Sequence, residues 1–205
     1  MKKQLFFIHG GMTFKKHEEY IEYLQNREIS LEEYVSWNKK YLDKQLGNDF
    51  DVIRPRMPKS ENAQYKEWAI HFECYIPLLK KDIVFVGFSL GAGFLAKWLA
   101  HNTFPKRLGG VFLVAAPYDN SLVGEDLVHG FALGGNLSNV TKQCLNTHFF
   151  FSENDDCVPL EHAEKFRKKL PKAQFHIYPD KNGHFQIETF PELIREIKRC
   201  DDMRK

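Results

Sequence analysis

Six short apolar runs punctuate the chain: LFFIHG (5–10), FDVIRP (50–55), DIVFVGFS (82–89), GGVFLVAAP (109–117), THFFFSEND (147–155) and QFHIYPD (174–180). Most are continuously apolar rather than alternating, which is the pattern of strands covered on both faces of a parallel sheet. Helix-like segments lie between them, as at Gly91 to Asn102 with Phe94, Leu95, Trp98 and Leu99, and at Leu160 to Leu170. Strands alternating with helices predict an α/β fold: a doubly wound, mainly parallel six-stranded sheet with helices on both faces.

Two connections exceed what a simple crossover needs. The first, at about 12–49, is read as a helical insertion with two helices. One carries Tyr20, Ile21 and Leu24; the other opens on a capping box from Ser30 to Glu33 and ends at Gly47. The second, at about 118–146, is rich in Gly, Asn and Ser, with a weak helical stretch around Asp126 to Ala132. It reads as a short loop excursion.

Length and composition narrow this picture. A chain of 205 residues with 43% hydrophobic content buries one substantial core, so residues 1–205 are expected to form a single domain. The 29 Lys and Arg against 27 Asp and Glu are interleaved, which argues against a nucleic-acid partner. The N-terminus has only four apolar residues, Leu5 to Ile8, before His9, so neither a signal peptide nor a membrane span is expected and a cytoplasmic location is the default. Cys74, Cys144, Cys157 and Cys200 show no zinc-ligand spacing and read as reduced packing residues.

Candidate chemistry centres on GFSLG, Gly87 to Gly91, which fits G-x-S-x-G where a strand hands over to a helix. A sharp turn there lifts the Ser89 hydroxyl clear of the sheet, the flanking glycines remove crowding, and the helix N-terminus offers amides to a developing oxyanion. A serine nucleophile needs a base, and the base needs an orienting acid. SENDDCVP supplies Asp155 and Asp156 after the fifth strand, and DKNGHF supplies His184 after the sixth. His101, His129, His148 and His162 read as surface or core histidines.

Taken together, HGG after the first strand, GFSLGA, NDDCVP and GHF resemble the α/β-hydrolase superfamily. The short chain is similar to the small serine-hydrolase family that includes retinoblastoma-binding protein nine and bacterial YdeN. The resemblance covers roughly residues 5–198. It implies strand order 2-1-3-4-5-6, a triad of Ser89, Asp155 and His184 with Asp156 as the alternative acid, and an oxyanion hole from the backbone N–H groups of Gly11 and Leu90. The insertion beginning just after Gly11 is longer than expected for the smallest members and bears on substrate class, not on the triad.

Two functions compete. A carboxylesterase-like serine hydrolase would cleave small soluble acyl esters, with no metal or organic cofactor and a small-molecule acyl substrate as its partner. A scaffold on an inactivated hydrolase fold is the alternative, and the intact Ser, Asp, His order argues against it. His9 lacks an H-x-x-x-H partner and is expected to brace the oxyanion loop. Cys157 is expected to pack beside the acid loop, and the cations of Lys165 to Lys172 to form a solvated helix face. The insertion helices, with Phe14, Tyr20, Tyr23, Tyr34, Trp37 and Tyr41, are expected to wall the site or to anchor on the sheet.

Overall fold

A computed structural model describes residues 2–32, 35–122 and 126–202. Its centre is one six-stranded sheet of β1 (Lys3–Ile8), β2 (Phe50–Ile53), β3 (Ile83–Phe88), β4 (Leu108–Val114), β5 (Thr147–Ser152) and β6 (Gln174–Tyr178). The order is β2-β1-β3-β4-β5-β6, and every neighbouring pair is parallel. The α/β architecture and the strand order match those expected.

Alternation along each strand divides the core in two. Phe6, Ile8, Phe85 and Phe149 point to the face covered by α3 (Tyr65–Tyr75), α4 (Leu90–His101), α5 (Ser138–Gln143) and α6 (Glu161–Lys169). Leu5, Phe7, Val84, Val86 and Phe150 point to the face covered by α2 (Leu42–Leu46) and α7 (Pro191–Asp202). Each fully buried Phe or Leu removes its whole side chain from water, a gain of about 1.5–3 kcal/mol. Two covered faces are why the strands read as continuous apolar runs.

The insertion departs from its expected form. Its first helix, α1 (His17–Asn26), lies where anticipated, and α2 is closed by Gly47, whose N–H donates to the Asp43 carbonyl. The capping box from Ser30 does not open a helix: Leu31 and Glu32 form a bend, Ser36 is extended with φ −144°, and Glu33 lies outside the described residues. Among the described residues helical structure resumes at an irregular turn over Trp37–Tyr41. Tertiary packing overrides the local signal, because Trp37 is drawn into the core edge-on to Phe7, Phe88 and Phe190, and its backbone N–H donates to the Ile187 carbonyl.

The helical stretch expected around Asp126 to Ala132 is likewise absent. His129 and Gly130 are left-handed, with φ of 52° and 87°, and turns replace it. Many contacts pin this segment. Lys97 Nζ donates to the Gly130 and Ala132 carbonyls, Val128 N–H to Thr13 Oγ1, and Tyr65 N–H to the His129 carbonyl. No helix among the described residues is long and apolar enough to cross a membrane.

Candidate active site

The loops after β1, β3, β4, β5 and β6 gather at the carboxyl edge of the sheet, where ligands bind in open α/β folds. Ser89 stands alone between β3 and α4 with φ 53° and ψ −126°. Its N–H donates to the Val114 carbonyl at 2.9 Å, and its own carbonyl accepts from Ala92 and Gly93 N–H. A non-glycine residue in that region is strained, and this mesh of bonds holds it there. The flanking glycines follow from close approach. A Cβ on Gly87 would lie 2.6 Å from Ala92 Cα, and one on Gly91 2.4 Å from the Ile8 carbonyl oxygen.

Gly11 and Leu90 border the same cleft as Ser89, and among the described residues neither backbone N–H donates to a protein acceptor. Unengaged amides that border the same cleft as a serine are groups a developing oxyanion could use. The loop carrying Gly11 is fixed by Met12, whose N–H donates to the Ser60 carbonyl and whose carbonyl accepts from Ala63 N–H. His9 braces it from below, with Nδ1 2.6 Å from the Gly10 carbonyl and Nε2 accepting from Met57 N–H at 2.9 Å.

The acid loop separates the two aspartates. Asp155 is buried, with a side chain 1% exposed, and its Oδ1 accepts from the N–H groups of Cys157 and Val158 at 3.0 and 2.9 Å. Asp156 is exposed. His184 Nδ1 lies 2.8 Å from Asp155 Oδ2 and 3.0 Å from Oδ1. Asn182, Gly183 and Phe185 all have φ between 52° and 63°, so His184 sits in a tight left-handed loop. Its ring lies against Phe88, centroids 5.1 Å apart, which places it beside the residue preceding Ser89. Ser89 Oγ and His184 make no hydrogen bond with each other, and the bonds of the His184 ring go to Asp155. Among the described residues the grouping able to ligate a metal is Asp155, Cys157 and His184, two of which already bond each other.

The cleft itself is narrow, about 10 Å³, room for roughly one water. Pro117, Leu127 and Val158 supply apolar wall, while Asp119, Asp126 and His162 supply polar groups. Among the described residues the insertion enters at a neighbouring pocket of about 260 Å³, lined by Met12, Thr13, Phe14 and Tyr23, which shares Asp126 with the cleft. Among the described residues it is therefore the excursion after β4, rather than the insertion helices, that walls the serine. Trp37 and Tyr41 pack on the opposite face of the sheet, and Tyr34 lies outside the described residues.

One residue differs from its sequence reading, and a second takes a place that reading did not assign. Lys165 is not part of a solvated face: its Nζ reaches Asp119 Oδ1 at 2.5 Å and Ser121 Oγ. Burial works to raise the Asp119 pKa, but the hydrogen bonds it accepts from Lys165 and Ser121, with the Lys165 charge, outweigh it and hold the carboxyl below its usual value. His162 is a buried histidine, as expected, yet it borders the cleft. Its nearness to Asp155 in sequence, at the start of the helix after the acid loop, was the available signal.

Comparison with known proteins agrees with this fold. YdeN of Bacillus subtilis (strain 168) is 23% identical over 195 residues, covering 94% of this chain and 92% of its own. The crystal structure of the B. subtilis ydeN gene product superposes with TM-score 0.72 at 17% identity, covering 98% of this chain and all of that one. A meta-cleavage product hydrolase from Pseudomonas fluorescens IP01 shares the fold with TM-score 0.66 at 15% identity, over 99% of this chain and 92% of its own. The serine hydrolase family matches residues 34–192, most of the chain, and the protein belongs to that family.

Proposed function

We propose that this protein is a carboxylesterase-like hydrolase of small soluble acyl esters, with Ser89 as nucleophile, His184 as general base and acid, and Asp155 as the orienting carboxylate. The observation that carries this reading is the strained backbone of Ser89 in a cleft it shares with the unengaged amides of Gly11 and Leu90. Ser89 Oγ attacks the acyl carbon as His184 Nε2 accepts its proton, and Asp155 holds the Nδ1–H that keeps Nε2 free for that role. The carbonyl oxygen takes up the negative charge against the Gly11 and Leu90 amides. Collapse expels the alcohol, which takes its proton from His184. Water then repeats the sequence on the acyl-enzyme and releases the acid. No step calls for a metal or organic cofactor.

The narrow cleft supports a small acyl group. The test is labelling by a fluorophosphonate probe together with hydrolysis of p-nitrophenyl acetate. Wild type is expected to do both and Ser89→Ala neither. A folded Ser89→Ala protein that still labels would overturn the assignment, and a wild type that does neither would favour a scaffold.

A further inference from the structure

His162 is 4% exposed and borders the serine cleft from the first turn of α6. Its Nδ1 accepts the backbone N–H of Tyr118 at 3.0 Å. An imidazole nitrogen that accepts carries no proton, so in the neutral ring the proton resides on Nε2. Burial, reinforced by the Lys165 ammonium, lowers the His162 pKa and favours that neutral ring. Among the described residues no protein group accepts from Nε2, and it is not one of the sealed-off unpartnered atoms such as Trp37 Nε1. The open space the ring borders is the cleft itself.

We propose that His162 is a specificity-determining residue whose Nε2–H donates to a neutral oxygen carried by the acyl group, so that the preferred substrates are small oxygen-bearing acyl esters rather than plain alkanoates. The proposal rests on Ser89 being the nucleophile in that cleft. The other polar groups of the wall narrow the ligand further. Asp119 is engaged by Lys165, and Asp126 by Lys15 at 2.6 Å, so neither carboxylate is left to recruit a cation. Both nevertheless disfavour an anionic acyl group beside them. A neutral acceptor such as an ether, hydroxyl or ketone oxygen is what remains. A donor fixed by the Tyr118 amide discriminates well, because a plain alkyl chain leaves it desolvated and unpaired.

An isosteric pair reads this directly: p-nitrophenyl methoxyacetate against p-nitrophenyl butyrate, which differ by one oxygen in place of a methylene. The ratio of their kcat/KM values is divided by the ratio of their hydroxide-catalysed rates, which removes the intrinsic activation by the oxygen. Wild type is expected to favour methoxyacetate by about fivefold or more after this correction. His162→Phe should bring the corrected ratio to about one, and His162→Gln, whose amide can both accept from Tyr118 and donate to the cleft, should restore part of it.

A corrected ratio near one in wild type overturns the proposal, and this holds whether or not the variants fold. A high ratio that persists in His162→Phe overturns it too. Absence of fluorophosphonate labelling in wild type instead removes the Ser89 reading, and this proposal with it.

Discussion

His184 Nδ1 sits between both oxygens of the Asp155 carboxylate, at 3.0 and 2.8 Å, while the adjacent Asp156 faces solvent. One register step in the chain thus separates a carboxylate fixed by two backbone amides from one that is exposed. The Cys157 and Val158 N–H groups orient Asp155, which in turn orients the imidazole.

Asp155→Asn is therefore expected to lower kcat by several orders of magnitude, on the order of 10⁴ in the serine-protease template, because the amide no longer selects the Nδ1–H tautomer. Asp156→Asn should leave kcat within about twofold, as for surface substitutions generally. Ester turnover by the two purified variants checks this, and a larger loss in Asp156→Asn would reverse the assignment.

The turn at Ser89 makes opposite demands on two neighbours. Ser89→Gly relieves a positive φ at a cost in unfolded-state entropy, so a net gain of about 1 kcal/mol in stability is expected, with activity lost. Gly91→Ala should do the reverse. Its Cβ would lie 2.4 Å from the Ile8 carbonyl oxygen and 2.5 Å from that of His9, both backbone atoms of the neighbouring chain segment. A loss of roughly 1–3 kcal/mol follows from such overpacking. Thermal melts of both variants test the pair, and equal shifts in the same direction would contradict it.

A buried histidine pair should tie stability to pH. His148 Nδ1 is 3.0 Å from His176 Nε2, and its ring stacks on Phe112, with Glu196 and Arg199 nearby. Burial, then the neighbouring His176, lowers its pKa from 6.5 to about 4. The unfolded chain consequently binds a proton that the folded one refuses between those values. This contribution is complete above pH 6.5 and is lost as pH falls toward 4, worth up to about 3 kcal/mol. His148→Phe should flatten the fall in Tm between pH 7.5 and 5, and an unchanged slope would count against it.

The strands were legible because both faces of the sheet are covered, leaving no polar alternation to obscure Phe6 to Ile8 or Ile83 to Val86. Ser89 and His184 were legible because their turns depend on glycines at fixed offsets, Gly87, Gly91 and Gly183. Ser30 misled because a capping box is a local signal of about 1 kcal/mol, whereas burial of Trp37 against Phe7, Phe88 and Phe190 is a tertiary gain of several. The place of His162 beside the serine was legible only in part, from its position at the start of the helix after the acid loop. It depends on an acceptor bond to Tyr118, 44 residues away, and on an excursion held by Thr13, 115 residues from Val128.

That excursion also shapes the response to acyl length. Leu127 and Asp126 wall the cleft. They belong to a segment tied down by the Asn120 side chain, which donates to the Leu127 carbonyl and accepts its N–H, and by the Thr13 hydroxyl, which donates to the Asp126 carbonyl. Phe131 anchors the same segment between Tyr65 and Trp68, ring centroids 5.8 and 5.3 Å away. Opening it for a long chain would break these bonds together, whereas a mobile lid is held by few. Each methylene beyond the available wall therefore meets a fixed surface, and discrimination of roughly 1–3 kcal/mol per excess methylene is the scale for such pockets. Across p-nitrophenyl esters from acetate to palmitate, kcat/KM is expected to fall beyond about eight carbons, since the neighbouring pocket at Phe14 and Tyr23 offers only about 260 Å³ for overflow. The rate should also rise smoothly through the micellar threshold. Fastest turnover on palmitate, or a jump in rate at that threshold, would mean that the segment opens and that the small-substrate reading is wrong.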